Sequence, residues 1–130
     1  MRTLLIVDAV SFGVFGLAFI FLPDFCARLT TGTAPGTPAA LTDVRAIYGG
    51  MALDLASFFW LAAAGTAEIG RLGLRVSALA FGFIALARSI GIALDGSGTP
   101  LMYGFLTLET LAAVLSVLVL RRTGRTVLEA

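Results

Sequence analysis

The sequence predicts an all-α protein: a four-transmembrane-helix antiparallel bundle with both termini in the cytoplasm. Three observations predict it. The chain is 58% hydrophobic and 13% charged over 130 residues, whereas a soluble domain is about a quarter charged and under half apolar. Its apolar residues gather into four runs, near residues 3–22, 44–64, 72–94 and 101–120. Each run is close to the roughly 20 residues that cross the hydrocarbon core of a bilayer. The arginines collect at one end of these runs if consecutive spans alternate in direction.

The first run follows Arg2 in the manner of a secretory signal. It is too long for a signal core, contains Asp8, and lacks a small-x-small cleavage site before Pro23, so it reads as a retained helix. The connection "PDFCARLTTGTAPGTPAALTD" is the only long one. Its first part is expected to form a short interfacial turn carrying Asp24 and Arg28, with Cys26 a plain loop residue. Thr37 followed by Pro38 resembles an N-cap with proline at the first helical position, so the second helix is expected to begin before the membrane does. The connections "GTAEIGR" and "DGSGTP" are short, making the last three helices antiparallel neighbours. No internal repeat is visible, and residues 1–130 read as a single integral membrane domain.

Orientation follows from arginine. Arg2, Arg71, Arg75, Arg121, Arg122 and Arg125 fall on one side, while Arg28 and Arg45 lie near the other. The positive-inside bias places the first group in the cytoplasm. Trp60 then lies near the inner surface, and Tyr48 and Tyr103 near the outer, where aromatic belts sit.

Composition also removes chemistry. There is no histidine, which excludes imidazole ligation and histidine general bases. All nine basic residues are arginine, so no lysine Schiff base can form. The single cysteine builds neither an internal disulfide nor a thiolate cluster. No cofactor and no metal are expected. A net charge of +1 without a basic block makes nucleic acid a poor partner.

Four ionisable residues sit more than a helical turn inside the predicted spans. From the helical rise, Arg88 lies about 9 Å below the outer boundary, Glu109 about 12 Å and Asp54 about 15 Å, with Asp8 about 7 Å from the cytoplasmic surface. Arg45 is roughly one residue inside the boundary and can snorkel. Arg88 and Glu109 are each about ten residues from the middle of the "DGSGTP" turn, so antiparallel helices bring them level. An ion pair is the simplest way to hold both, because each alone would cost about 2.5–3.5 kcal/mol at a helix centre.

Small residues accompany these charges: Ala112, Ala113 and Ser116 beside Glu109; Ala85, Gly91 and Asp95 beside Arg88; Gly50 and Ser57 beside Asp54. All three stripes are expected to face inward, with Gly13 and Gly16 doing the same for the first helix. With Arg88 committed to Glu109, Asp54 is left without a cation and is expected to hold a proton. Asp8, with Ser11 one turn on, reads as a solvated residue near the inner interface, and Phe12, Phe15 and Phe19 as packing or lipid-facing aromatics. The candidate polar cluster is Arg88, Glu109, Asp54, Arg45, Tyr48 and Asp95. It reads equally as a site or as a device fixing helix register.

"DVRAIYGGMALDLASFFWLAA", "LARSIGIALDG" and "LTLETLAAVLSVLVLRR" resemble a group of small bacterial four-helix membrane proteins classed as a domain of unknown function. The likeness runs from about residue 40 onward. It is carried by Arg45, Tyr48, Gly49, Gly50, Arg88, Asp95, Gly96 and Glu109; Asp54 and Asp8 are not among them. The resemblance implies a bacterial inner-membrane location and no known activity.

Several functions stay open. The first is a polar site binding a small lipophilic molecule through Arg88 or Arg45. The second is a membrane-embedded isomerase or hydrolase with Asp54 or Glu109 as acid–base and Arg88 as electrostatic stabiliser. An oligomeric proton or ion conduit and an assembly subunit complete the set. Expected partners are the lipid bilayer, a lipophile, and a second copy or another membrane protein.

Overall fold

The computed structural model describes residues 1–96 and 98–125. Its elements are α1 (Arg2–Phe21), α2 (Pro23–Thr31), α3 (Pro38–Ala64), α4 (Ala67–Asp95) and α5 (Pro100–Arg125). All except α2 are long and apolar enough to cross a membrane. Ser97, inside the expected "DGSGTP" turn, lies outside the described residues.

The helices begin and end where local chemistry dictates. Pro23 has no N–H to continue α1 and pushes Leu22 out of helical conformation, with φ −127° and ψ 47°. Proline is at home in a first turn, so α2 starts there; it stops at Gly32, whose φ of 82° suits glycine. The expected interfacial turn is thus a nine-residue helix, with Asp24 and Arg28 paired at 2.9 Å on its exposed side. Thr37 caps α3 by accepting the Ala40 N–H at 3.2 Å. Thr66 accepts from Ile69, and Thr99 from Met102. The second connection is therefore shorter than "GTAEIGR" suggested, because Glu68 and its neighbours form the first turn of α4. Helices outrun their apolar runs for this reason: caps, and not hydropathy, set the ends.

One irregularity interrupts α3. Arg45–Gly50 is a π-helical segment between α-helical stretches, a wider turn that local periodicity does not announce.

The chain packs as two compact units, Ile6–Leu61, and Met1–Leu5 with the residues from Ala62 onward. In the first, α1 and α3 meet through small residues. A Cβ on Gly16 would stand 2.9 Å from the Gly49 carbonyl oxygen, and one on Gly13 would touch Ala56 at 3.8 Å. Phe59, fully buried, meets Phe12 at 5.8 Å, and Phe19 stacks on Tyr48 at 5.2 Å. In the second, α4 and α5 form an antiparallel hairpin. Leu74, Ser77 and Ser116 are fully enclosed there, and Gly73 leaves room for Leu5 and Ala62. Large apolar side chains such as Leu79, Phe83, Leu94 and Leu108 remain exposed, as lipid-facing helices require and soluble surfaces avoid.

Candidate functional site

Arg88 and Glu109 sit on the facing sides of the α4–α5 hairpin. The Arg88 Nε donates to Glu109 Oε2 at 2.9 Å, and Nη2 donates to Oε1 at 2.6 Å. Both carboxylate oxygens are thereby engaged by the planar guanidinium fork. The guanidinium also lies 5.4 Å from the Phe105 ring centroid, where the aromatic face favours a cation. The pair is largely withdrawn from the surface, with side-chain exposures of 25% for Arg88 and 12% for Glu109. Mutual pairing holds both charges at a depth where either alone would be strongly disfavoured.

A second polar contact lies on the same seam. Ser77 and Ser116 share a hydrogen bond of 2.8 Å between hydroxyls, both fully buried. Ser77 and Arg88 are eleven residues apart on α4, and Glu109 and Ser116 seven apart on α5, so each helix presents both groups from one stripe. Neither Ser77 nor Phe105 was legible as part of this arrangement in the sequence. Serine and phenylalanine are ordinary in apolar helices, and only their cross-helix partners single them out.

The other candidates are not gathered into a buried cluster. Asp54, Tyr48, Arg45 and Asp95 are all exposed. Asp54, expected to face inward, faces outward. α3 buries Ala52, Ala56, Phe59 and Ala63, which turns the opposite stripe of Gly50, Asp54 and Ser57 outward. Arg45 acts on the neighbouring backbone. Its Nε donates to the Ile20 carbonyl at 3.1 Å, capping a carbonyl that Pro23 helps leave unpaired at the end of α1. Tyr48 rests its ring on Phe19. Asp95 closes α4 beside Gly96, whose left-handed φ of 64° ends the helix.

Asp8 also departs from expectation. It is buried, at 2% exposure, and not solvated, because it shares the packed stripe of α1 with Leu5 and Phe12. Its depth along the span gave no hint of this; the packing of that face of α1 decides it. Among the described residues, no buried side-chain nitrogen or oxygen lacks a partner, and no group of three potential ligands could hold a metal ion.

Four apolar helices carrying a charge pair inside a hairpin define a multi-pass membrane protein. The chain belongs to the DUF4345 family, a domain of unknown function, whose model matches residues 1–120. The match takes in α1 as well as the later helices. No curated protein and no solved structure matches the chain.

Proposed function

We propose that this is a bacterial inner-membrane protein whose Arg88–Glu109 pair forms the polar end of a site for a small lipophilic molecule bearing an acidic or carbonyl group. The observation that carries this reading is the position of Arg88. Its Nε and Nη2 hold Glu109 while a quarter of the side chain stays exposed, so a ligand oxygen has a cation to approach in a medium of low dielectric. Apolar side chains around the hairpin would receive the rest of such a molecule.

On this reading both termini face the cytoplasm. Arg2 opens α1, Arg71 and Arg75 lie in the first turns of α4, and Arg121 and Arg122 close α5, a distribution that fits the positive-inside bias. Exposed Trp60, Tyr48 and Tyr103 fit interfacial belts. Membrane-impermeant thiol reagents applied from outside should label Arg45→Cys and spare Arg71→Cys, both in a Cys26→Ala background.

The bidentate closure of the pair favours a second reading, in which it only clamps the hairpin. Acid–base catalysis is less well supported, since both oxygens of Glu109 are already committed to Arg88. Native mass spectrometry of gently extracted protein separates binding from clamping. Wild type should retain a lipophile, and the charge-swapped Arg88→Glu/Glu109→Arg variant should fold yet lose it. Retention of the same species by the swapped variant, or none by wild type, removes the binding reading.

A further inference from the structure

We propose that the outward face of α3 is a docking surface for a second copy of this chain, in parallel and in register, with Ser57 of each copy donating to Asp54 of the other. This surface is independent of whether Arg88 receives a ligand.

The starting observation is that Asp54 lies near the middle of a membrane span yet is exposed. Hydrocarbon offers a carboxyl group no hydrogen bond, and an acid at mid-span that faces lipid is rare for that reason. Something polar covers it in the membrane. Three features select another copy of α3 as that cover.

First, the exposed residues Gly50, Asp54, Ser57, Leu61 and Ala64 follow a strict alternation of four- and three-residue steps. That is the seam by which two helices pack side by side with a left-handed crossing. Second, the seam admits close approach. A Cβ at Gly50 would meet nothing within 4 Å, and Ser57 and Ala64 are small, as membrane helix contacts favour. Third, the face is complementary to itself. Asp54 is an acceptor, and Ser57, one turn away, is a donor whose hydroxyl is satisfied at 2.8 Å by the Leu53 carbonyl of its own helix. That bond is easily exchanged, since the carbonyl keeps its helical N–H partner. In a two-fold pair, each Ser57 reaches the partner's Asp54 and the arrangement closes. In two copies inserted in the same direction and in register, Ser57 of one lies only about 4.5 Å along the axis from Asp54 of the other, and a single polar position in such a seam fixes register and parallel orientation.

The test counts copies in lipid. In a Cys26→Ala background reconstituted into liposomes, Leu61→Cys should form an intermolecular disulfide rapidly under mild oxidation. Leu79→Cys, exposed on α4, should not. Single-molecule photobleaching of labelled wild type should give mostly two steps at moderate protein density. Asp54→Leu and Ser57→Ala should weaken association about three- to twentyfold, the range expected for hydrogen bonds between membrane helices. Asp54→Asn, which keeps an acceptor, should stay close to wild type. Since Asp54→Leu removes a polar group from an exposed face, it also leaves folding of the single chain intact. Single-step bleaching of wild type at every density, equal cross-linking at positions 61 and 79, or undiminished association of Asp54→Leu would each overturn the proposal. Co-purification of a monomeric chain with a different membrane protein would do the same.

Discussion

The Ser77 and Ser116 hydroxyls lie 2.8 Å apart in the closed interior of the α4–α5 hairpin, on the seam that carries Arg88 and Glu109. Going from the serines to the ion pair covers eleven residues of α4 but seven of α5, a difference of about 6 Å along the helix axis. The long arginine and glutamate side chains span that offset. Two polar contacts of unequal strength therefore lock one helix against the other.

Breaking the stronger contact from one side should be worse than removing it. Arg88→Leu or Glu109→Leu leaves a charge without its partner and should destabilise the protein by about 2–3 kcal/mol, less than for a fully enclosed pair because some exposure remains. Arg88→Leu/Glu109→Leu together should recover most of that loss. Detergent-titrated unfolding of the three variants checks the order; single variants as stable as wild type would show that the pair contributes nothing to the fold.

The serine contact should be weaker. Ser116→Ala removes one hydroxyl from a hydrogen bond between membrane helices, a loss of about 0.6 kcal/mol. The same unfolding titration reads it, and a loss as large as that of the ion-pair variants contradicts the ranking.

Glycine positions should divide sharply by their surroundings. Gly16→Ala drives a methyl group to 2.9 Å from the backbone oxygen of Gly49, where nothing flexible can yield, and should cost about 1–3 kcal/mol. At Gly104 a Cβ meets nothing within 4 Å, so Gly104→Ala should be neutral or stabilise by up to about 1 kcal/mol through helix propensity. Thermal inactivation midpoints of the two variants should move in opposite directions, or only the first should move.

Cys26 should be slow to alkylate. Burial in α2 pushes its thiol pKa above the usual value, so at pH 8 less reactive thiolate is present than in a free cysteine. Maleimide labelling of the native protein should be on the order of tenfold slower than after unfolding, and should rise as pH increases. Equal rates in both states would contradict the burial.

The four spans and the meeting of Arg88 with Glu109 were legible in the sequence. A bilayer imposes a length and an apolar content that each segment must satisfy by itself, and a short turn brings residues equidistant from it close enough in level for long side chains to meet. Thr37 as a cap was legible too, since capping depends on neighbours in the chain. What only the tertiary structure decided is which face of each helix turns inward. α3 carries small residues on both sides, Ala52, Ala56 and Ala63 on one and Gly50, Ser57 and Ala64 on the other, so its own pattern is undecided. The close approach of Gly16 to Gly49 and the enclosure of Phe59 settle the choice, and with it the exposure of Asp54. Asp8 was buried by the same kind of decision, because the side chain of a helical residue is hidden or shown by what packs against it and not by its depth in the membrane.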